Sequence, residues 1–577
     1  MMKLGNLAQD RWIEGDGDGK ALSSAVTGQP IASISSDGLD FRGMLEHARR
    51  VGGSHLRKMT FHERGDMLKA LAQYLMEHKK EFYGLSTETG ATRADSWIDI
   101  DGGISTLFVF SSKARREMPN DHVYLDGPPE QLSRNGTFVG QHIYTPKLGA
   151  AVHINAFNFP VWGMLEKLAP TLAAGVPAIV KPASSTAYLT ELVVRRIIES
   201  GILPPGSLQL ICGGVGDLFE HLNCQDTIAF TGSKSTAEKL QQHPRVISES
   251  VAFTAETDSL NASILGPDAV PGTPEFDLYI KEVVREMTSK AGQKCTAIRR
   301  IIAPAAIAGE LVDALSTALG QVSIGNPANK EIGMGALASL GQRDEVRARI
   351  GDLATEADIV YGGREDFEVL DADAKKGAFF MPTLLHCEKP MRSSAVHSVE
   401  AFGPVSTILP YDTLDEAIEL ARMGEGSLAG SIVTNDDEVA RELVLGTAAS
   451  PPATAHRCRT SSTAVRAAPA AARKWVASGA SSTTCNARPS RARPRPCRSS
   501  GIAGCAARTR RTPVCTRSAR RSNNSNSAIP SGAACAKSRW TTSIISPNSR
   551  ATPSTLTWTR SQPRRTRFSR AASRTAT

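Results

Sequence analysis

Residues 150–181 read AAVHINAFNFPVWGMLEKLAPTLAAGVPAIVK. Two short apolar runs, Ala150–Ile154 and Ala178–Lys181, flank a segment, Met164–Ala174, that reads as a helix. Strand, helix, strand in so short a span is the unit of a parallel sheet covered by helices. Working outward, Leu208–Cys212 and Thr227–Phe230 read as further strands. Each is followed by a Gly- or Ser-containing turn, the place where doubly wound sheets bind ligands. Upstream, Phe61–Tyr83 sets Met67, Leu68, Leu71, Leu75 and Met76 at helical spacing. Thr137–Thr145 alternates like a hairpin arm. The expected fold class is α/β.

Charge divides the chain in two. Residues 451–577 hold 25 Lys and Arg and no Asp or Glu, which leaves residues 1–450 with 42 basic against 58 acidic residues, net −16. Cys212, Cys224, Cys295 and Cys387 lie in the body, and the six tail cysteines form no CxxC pairs with partner histidines. No metal site is therefore expected. The start, MMKLGNLAQDRW, lacks the pattern of a secretory signal, and no apolar run is long enough to span a bilayer. The expected compartment is the cytoplasm, with no membrane partner. An Arg-rich tail could neutralise phosphates. It holds only Trp475, Trp540, Trp558 and Phe568 as aromatics and no recognisable binding module, so no nucleic-acid partner is expected.

Several short motifs carry reactive residue types, and each has an ordinary reading. Cys295, in KAGQKCTAI, would by itself be a small buried hydrophobe. FTGS at Phe230–Ser233 is either a helix cap or a phosphate-binding helix start. Glu256 in TAETDS and Glu400 in VEAFGPV would be solvated carboxylates, Lys181 a snorkelling lysine, and Asn158 a turn residue before Pro160.

In order, however, FNFP, IVKPAS, LPPG (Leu203–Gly206), FTGS, Glu256, GQKC and EAFGPV make residues 1–449 resemble the aldehyde dehydrogenases. The resemblance implies a Rossmann-like cofactor domain over 1–255, with an oligomerisation hairpin near 128–146, and a catalytic domain over 256–449. It also implies a homodimer or higher homo-oligomer built through that hairpin. Cys295 would be the nucleophile, Glu256 the base that activates water, and Asn158 an oxyanion-hole donor. Lys181, Ser184, Phe230, Thr231, Gly232, Ser233, Glu400 and Phe402 would line the cofactor site. Many members carry KPAE or KPSE, whose Glu holds a ribose 2′-hydroxyl. Ser184 stands there instead, which removes a repulsion against a 2′-phosphate while Lys181 remains as counter-charge. NADP⁺ is expected over NAD⁺, with NAD⁺ the alternative. AETDS replaces the usual ELGGK, yet Glu256 is retained, which implies hydrolysis to the acid rather than transfer to CoA.

Within the family, RWIEGDGDG, LFVFSSKARREMPNDHVYLDGP and HINAFNFPVWGMLEKLAP resemble a branch that acts on CoA-linked semialdehydes in aromatic catabolism. In its phenylacetate-degrading form the dehydrogenase is fused to a MaoC-type hotdog hydratase that opens an oxepin-CoA ring. The alternative is the dehydroadipyl-CoA semialdehyde dehydrogenase type of benzoate degradation, which lacks the hydratase.

Residues 450–577 resemble neither a hydratase nor the closing loop and strand of a dehydrogenase. They are expected to be disordered, because Ala, Arg, Ser, Thr and Pro bury too little apolar surface to offset chain entropy. Shifting the reading frame by one base recodes Ser543–Thr559 as DHFAEFTGDTFYAHMD, similar to a MaoC-type active-site segment. The same offset recodes Cys458–Ser478 and Gly479–Arg488 into sequence similar to a dehydrogenase C-terminal loop. The expected cause is a single-base insertion or deletion near codons 447–451, and the chain as written is expected to express poorly or to be inactive. Resequencing that junction from genomic DNA should reveal the extra or missing base, whereas an uninterrupted frame there rules the explanation out.

Overall fold

The computed structural model describes residues 2–424, 426–448 and 485–492. Its first sheet has seven strands, ordered Ala252–Glu256, Thr227–Thr231, Ala151–Ile154, Ala178–Lys181, Leu208–Leu210, Asn6–Ala8 and Arg11–Ile13. The first five are mutually parallel and the last two pair antiparallel. Ile154 stands opposite Lys181 on one side and Phe230 on the other, and Thr231 stands opposite Glu256. This register brings four strand ends to one edge of the sheet, and those ends carry most of the motif residues.

Both faces of this sheet are covered, as a parallel sheet requires. Ala178 and Val180 pack among Leu165, Leu168 and Leu172 of the helix Trp162–Ala173, with Leu68 and Leu71 of the helix Phe61–Ser86 behind them. Val152, Ile179 and Ile228 bury their side chains on the other face, against Phe41, Met44 and Leu45. The long helix begins at Thr60 with a capping box: the Thr60 hydroxyl accepts from Glu63 N, and the Glu63 carboxylate accepts from Thr60 N. The strands and helices expected between residues 61 and 230 are present, with ends displaced by one to three residues.

A second sheet of six strands is built from later sequence. Its order is Asp358–Tyr361, Thr383–His386, Val405–Tyr411, Arg300–Pro304, Ala262–Leu265 and Gly430–Val433. It is parallel apart from the first pair. The hairpin arm expected at Thr137–Thr145 is the strand Val139–Pro146, paired with Tyr124–Gln131. The tail expected to be disordered falls outside the described residues, apart from Cys485–Ala492. That octapeptide runs antiparallel to Val139–Pro146 as a third, outer strand. A main-chain ladder needs backbone N–H and C=O groups rather than particular side chains, so an open strand edge accepts almost any extended segment. Among the described residues no helix is long and apolar enough to cross a membrane.

One buried carboxylate ties together the starts of two neighbouring parallel strands, Thr227–Thr231 and Ala151–Ile154. Asp226 is fully buried. Its oxygens accept from Ala150 N at 2.8 Å, from Asn223 N at 2.8 Å and from the Arg49 guanidinium. Asp226→Ala would leave two main-chain amides and a half-buried Arg49 cation without their acceptor, and should lower the unfolding free energy by about 3 kcal/mol. Urea denaturation of the two proteins measures it, and a loss under about 1 kcal/mol would match only an exposed pair.

Candidate active site

The loop before Cys295 is left-handed at three successive residues: Lys290 (φ 52°), Ala291 (φ 50°) and Gly292 (φ 69°). Two of these are not glycine, so the surroundings must hold the conformation. Asp95 Oδ1 accepts from Lys290 N at 2.7 Å, and Lys290 Nζ donates to Thr89 Oγ1 at 3.0 Å. Gly292 has no room for a side chain, since a Cβ there would lie 2.1 Å from the Gly403 carbonyl oxygen. Beyond the bend, Asn261 Nδ2 donates to the Cys295 carbonyl at 2.9 Å and the Ser259 hydroxyl donates to the same oxygen. The backbone of Cys295 is thus fixed and its side chain faces the end of the first sheet.

One turn beyond Asp95 lies Asp99. Its Oδ1 accepts from Val161 N at 3.1 Å and Trp162 N at 2.8 Å, which closes the turn containing Asn158. Burial raises the Asp99 carboxyl to about 7, against the opposing pull of the Trp162 N–H and the Lys290 charge. Asn158 itself is buried.

At the centre, the Glu256 carboxylate neighbours the Cys295 thiol. Glu256 ends the strand Ala252–Glu256, and its carbonyl accepts from Gly232 N at 3.1 Å. Burial first, then the Glu256, Glu166 and Glu400 carboxylates, push the Cys295 thiol well above its ordinary pKa. Glu400 is raised to about 7 by burial, against the opposing charge of Arg299. Its two oxygens accept from Arg299 Nε at 3.3 Å and Ser259 N at 3.0 Å. Arg299 also donates to Gly403 O at 2.7 Å and Gly292 O at 2.8 Å, so one buried guanidinium ties the Glu400 loop to the Cys295 loop. Phe402 lies edge-on to Phe157, centroids 5.8 Å apart, beside Asn158.

Cys295, Glu256, Glu400 and Phe402 therefore come together, with Asn158 next to the ring that Phe402 meets. Lys181 and Ser184 lie elsewhere along the edge, at the end of the next strand and in the short turn after it. Burial lowers the Lys181 pKa. Ser233 is the N-cap of the helix Lys234–Gln241, with its hydroxyl turned to Thr236 Oγ1 at 2.9 Å. Thr231 and Gly232 bring the chain to that cap, and the Thr231 hydroxyl is buried without a partner. Phe230 faces the core, where its ring stacks on Phe253 with centroids 6.5 Å apart. Among the described residues no group of metal-ligating side chains is assembled.

Sequence reading missed Glu166, Lys167, Arg299, Asp95 and Asp99. Glu166 is raised to about 7, by burial above all and by Glu256 among its neighbours, with Lys167 opposing. A charged pair inside the apolar helix WGMLEKLAP was the signal available for the first two.

A sequence profile described as the aldehyde dehydrogenase family matches residues 12–450. The chain belongs to the aldehyde dehydrogenase family. Its members are oxidoreductases that act on aldehydes. The 3,4-dehydroadipyl-CoA semialdehyde dehydrogenase of Aromatoleum evansii is 45% identical over 448 residues, covering 78% of this chain and 87% of that one. The geranial dehydrogenase of Castellaniella defragrans is 32% identical over 311 residues, covering 52% and 61%. A point-mutant betaine aldehyde dehydrogenase of Staphylococcus aureus, solved in complex with NAD⁺, superposes with a TM-score of 0.68 at 25% identity, covering 78% of this chain and 87% of that one.

The electrostatics of this dehydrogenase give a signed expectation. The rate of Cys295 alkylation by iodoacetamide should keep rising with pH past the ordinary thiol midpoint of about 8.5. In Glu256→Gln the midpoint should move to lower pH, because a neighbouring negative charge disfavours thiolate. An unmoved midpoint in the variant rules out the Glu256 contribution.

Proposed function

We propose that this aldehyde dehydrogenase oxidises a CoA-linked semialdehyde to the carboxylic acid through a cysteine thioester, with NADP⁺ as the preferred acceptor. The observation that carries the reading is the placement of the Glu256 carboxylate next to the Cys295 thiol, beside the buried Asn158 turn. A carboxylate beside a thiol can act as its base, although neighbouring negative charge keeps the thiol protonated at rest. Glu256 takes the thiol proton and passes it to solvent as the Cys295 sulfur attacks the aldehyde carbon, which forms a C–S bond and an alkoxide. The Asn158 amide and the Cys295 N–H would stabilise that oxygen. Loss of hydride leaves a thioester. Glu256 then takes a proton from the water that attacks the carbonyl carbon, and Cys295 leaves as thiolate.

When bound, NADP⁺ supplies the hydride acceptor. The first sheet fits a dinucleotide at its C-terminal edge, where one strand end carries an unpartnered Thr231 hydroxyl and a helix N-terminus with Ser233 at its N-cap, and the strand two places along ends in Lys181. Lys181, Ser184, Thr231, Gly232, Ser233, Glu400, Phe402 and the backbone of Phe230 would hold it. Arg299 and Ser259 each occupy one side of Glu400, and a carboxylate oxygen accepts more than one hydrogen bond, so ribose hydroxyls can share it. The 45% identity to an enzyme named for a CoA semialdehyde supports the substrate class. The phenylacetate-type and benzoate-type substrates remain the two choices within it.

Turnover of both semialdehyde types should be followed with NADP⁺ and NAD⁺, using the 577-residue chain and a version with the frame restored near 447–451. The restored chain should be the more active, should favour NADP⁺ by about tenfold, roughly 1.4 kcal/mol, and should lose activity in Cys295→Ala. Ser184→Glu should reverse the preference, because the new carboxylate accepts the ribose 2′-hydroxyl and repels a phosphate. A restored chain that prefers NAD⁺ rules out the cofactor assignment, and full activity without Cys295 rules out the mechanism.

A further inference from the structure

Asn155 stands one residue past the strand Ala151–Ile154, at the edge where the four strands end. Its backbone N–H donates to the Lys181 carbonyl at 3.0 Å, so the ladder, and with it the alternation of faces, continues through it. His153, two residues earlier, meets Thr171 Oγ1 of the helix Trp162–Ala173 at 3.1 Å. Asn155 therefore belongs to that helix-covered face. Since Ile154 is opposite Phe230 and Thr231 is opposite Glu256, the residues Asn155, Thr231 and Glu256 follow one another across three adjacent strands. The row ends at Glu256, the carboxylate that neighbours the Cys295 thiol.

Asn155 is 4% exposed, yet neither its Nδ2 nor its Oδ1 has a hydrogen-bond partner. It is the one side chain among the described residues with both ends of an amide in this state. The Thr231 hydroxyl next to it in the row is also unpartnered. A buried amide without partners destabilises the fold, whereas an apolar residue of the same shape does not. A packing role would thus be better served by leucine. An unpaired amide at the crevice outside the carboxyl ends of parallel strands is instead the complement of a polar ligand that enters there.

We propose that Asn155, together with Thr231, binds neutral polar groups of the dinucleotide, its ribose hydroxyls or its carboxamide. This rests on the proposed dinucleotide site and extends it to a residue outside the motifs that carried the family resemblance. An amide both donates and accepts, as those groups do, and carries no charge to select a phosphate. Lys181, paired with Ile154, belongs to the alternate face of the strand ends. Selection between NAD⁺ and NADP⁺ therefore stays with Lys181 and Ser184, and Asn155 serves both cofactors equally.

The test is equilibrium binding of NADP⁺ and of NAD⁺ to the 577-residue chain, read by quenching of tryptophan fluorescence, together with the thermal midpoint without cofactor. Asn155→Leu should weaken both cofactors by about tenfold or more, leave their ratio unchanged, and leave the midpoint equal or higher. Asn155→Ser, which keeps a small hydrogen-bonding group, should recover part of the affinity and decides the matter if the leucine variant does not fold. Unchanged affinity for both cofactors, or a loss confined to NADP⁺, overturns the proposal. So does a lowered midpoint with affinity intact, and so does failure of both the 577-residue chain and the frame-restored chain to bind either cofactor. A wild-type chain that prefers NAD⁺, with both affinities reduced in the variant, rejects the NADP⁺ assignment and leaves the role of Asn155 standing.

Discussion

Two carboxylates one helical turn apart hold the centre of this enzyme. Asp95 takes the N–H of Lys290 and sustains the left-handed bend that leads to Cys295, while Asp99 takes the N–H groups that close the Asn158 turn. Cys295 and Asn158 come from segments more than a hundred residues apart, on different sheets. Their relative position is set by a third segment that touches neither reacting atom. Main-chain acceptors suit this purpose because they fix backbone position, and the tolerance of a reacting geometry is a fraction of an ångström. The arrangement is costly. Lys290, Asp95 and Asp99 are all buried, and the raised Asp99 carboxyl records the desolvation that the Lys290 charge opposes.

The same logic governs the charges around the thiol. Three carboxylates, from Glu256, Glu166 and Glu400, face Cys295, and all of them oppose its ionisation. A resting thiolate would be vulnerable to oxidation and alkylation, since the thiolate is the reactive form. Keeping the sulfur protonated limits both. Arg299 is what makes such a density of acid groups tolerable. Its single buried cation compensates Glu400 and, through the Gly292 and Gly403 carbonyls, braces the two loops against each other.

The legible part of the sequence was the part governed by local rules. Strands such as AIVK declare themselves because both faces are buried, and the helix after Thr60 declares itself through its capping box and apolar stripe. The motif residues Cys295, Glu256, Glu400 and Phe402 were found by order and spacing, and they meet. The illegible part consists of residues whose role depends on a partner far along the chain. Asp95 and Asp99 look like the solvated face of a short helix, and only the fold supplies Lys290 and Trp162 to them. Arg299 sits beside Arg300, and nothing local says that one braces the site while the other binds the Leu260 and Leu420 carbonyls in the core. Phe230 shows the converse error: a motif position need not point its side chain at the site, and alternation along the strand turns this ring into the core.

The strand Cys485–Ala492 bears on the tail in a limited way. It is the outer member of a three-stranded sheet, and it contains Pro489, which an outer strand tolerates and an inner one does not. Pairing of this kind tests chain length and extension, not side-chain fitness. A segment read in the wrong frame could satisfy it as readily as the native one, provided it lies at the right distance along the chain from the hairpin it joins. Catalytic residues obey the opposite rule, since each must be one residue type at one position. The constellation around Cys295 therefore argues for selection on residues 1–449, while a ladder of eight residues carries no such weight for the sequence of 450–577.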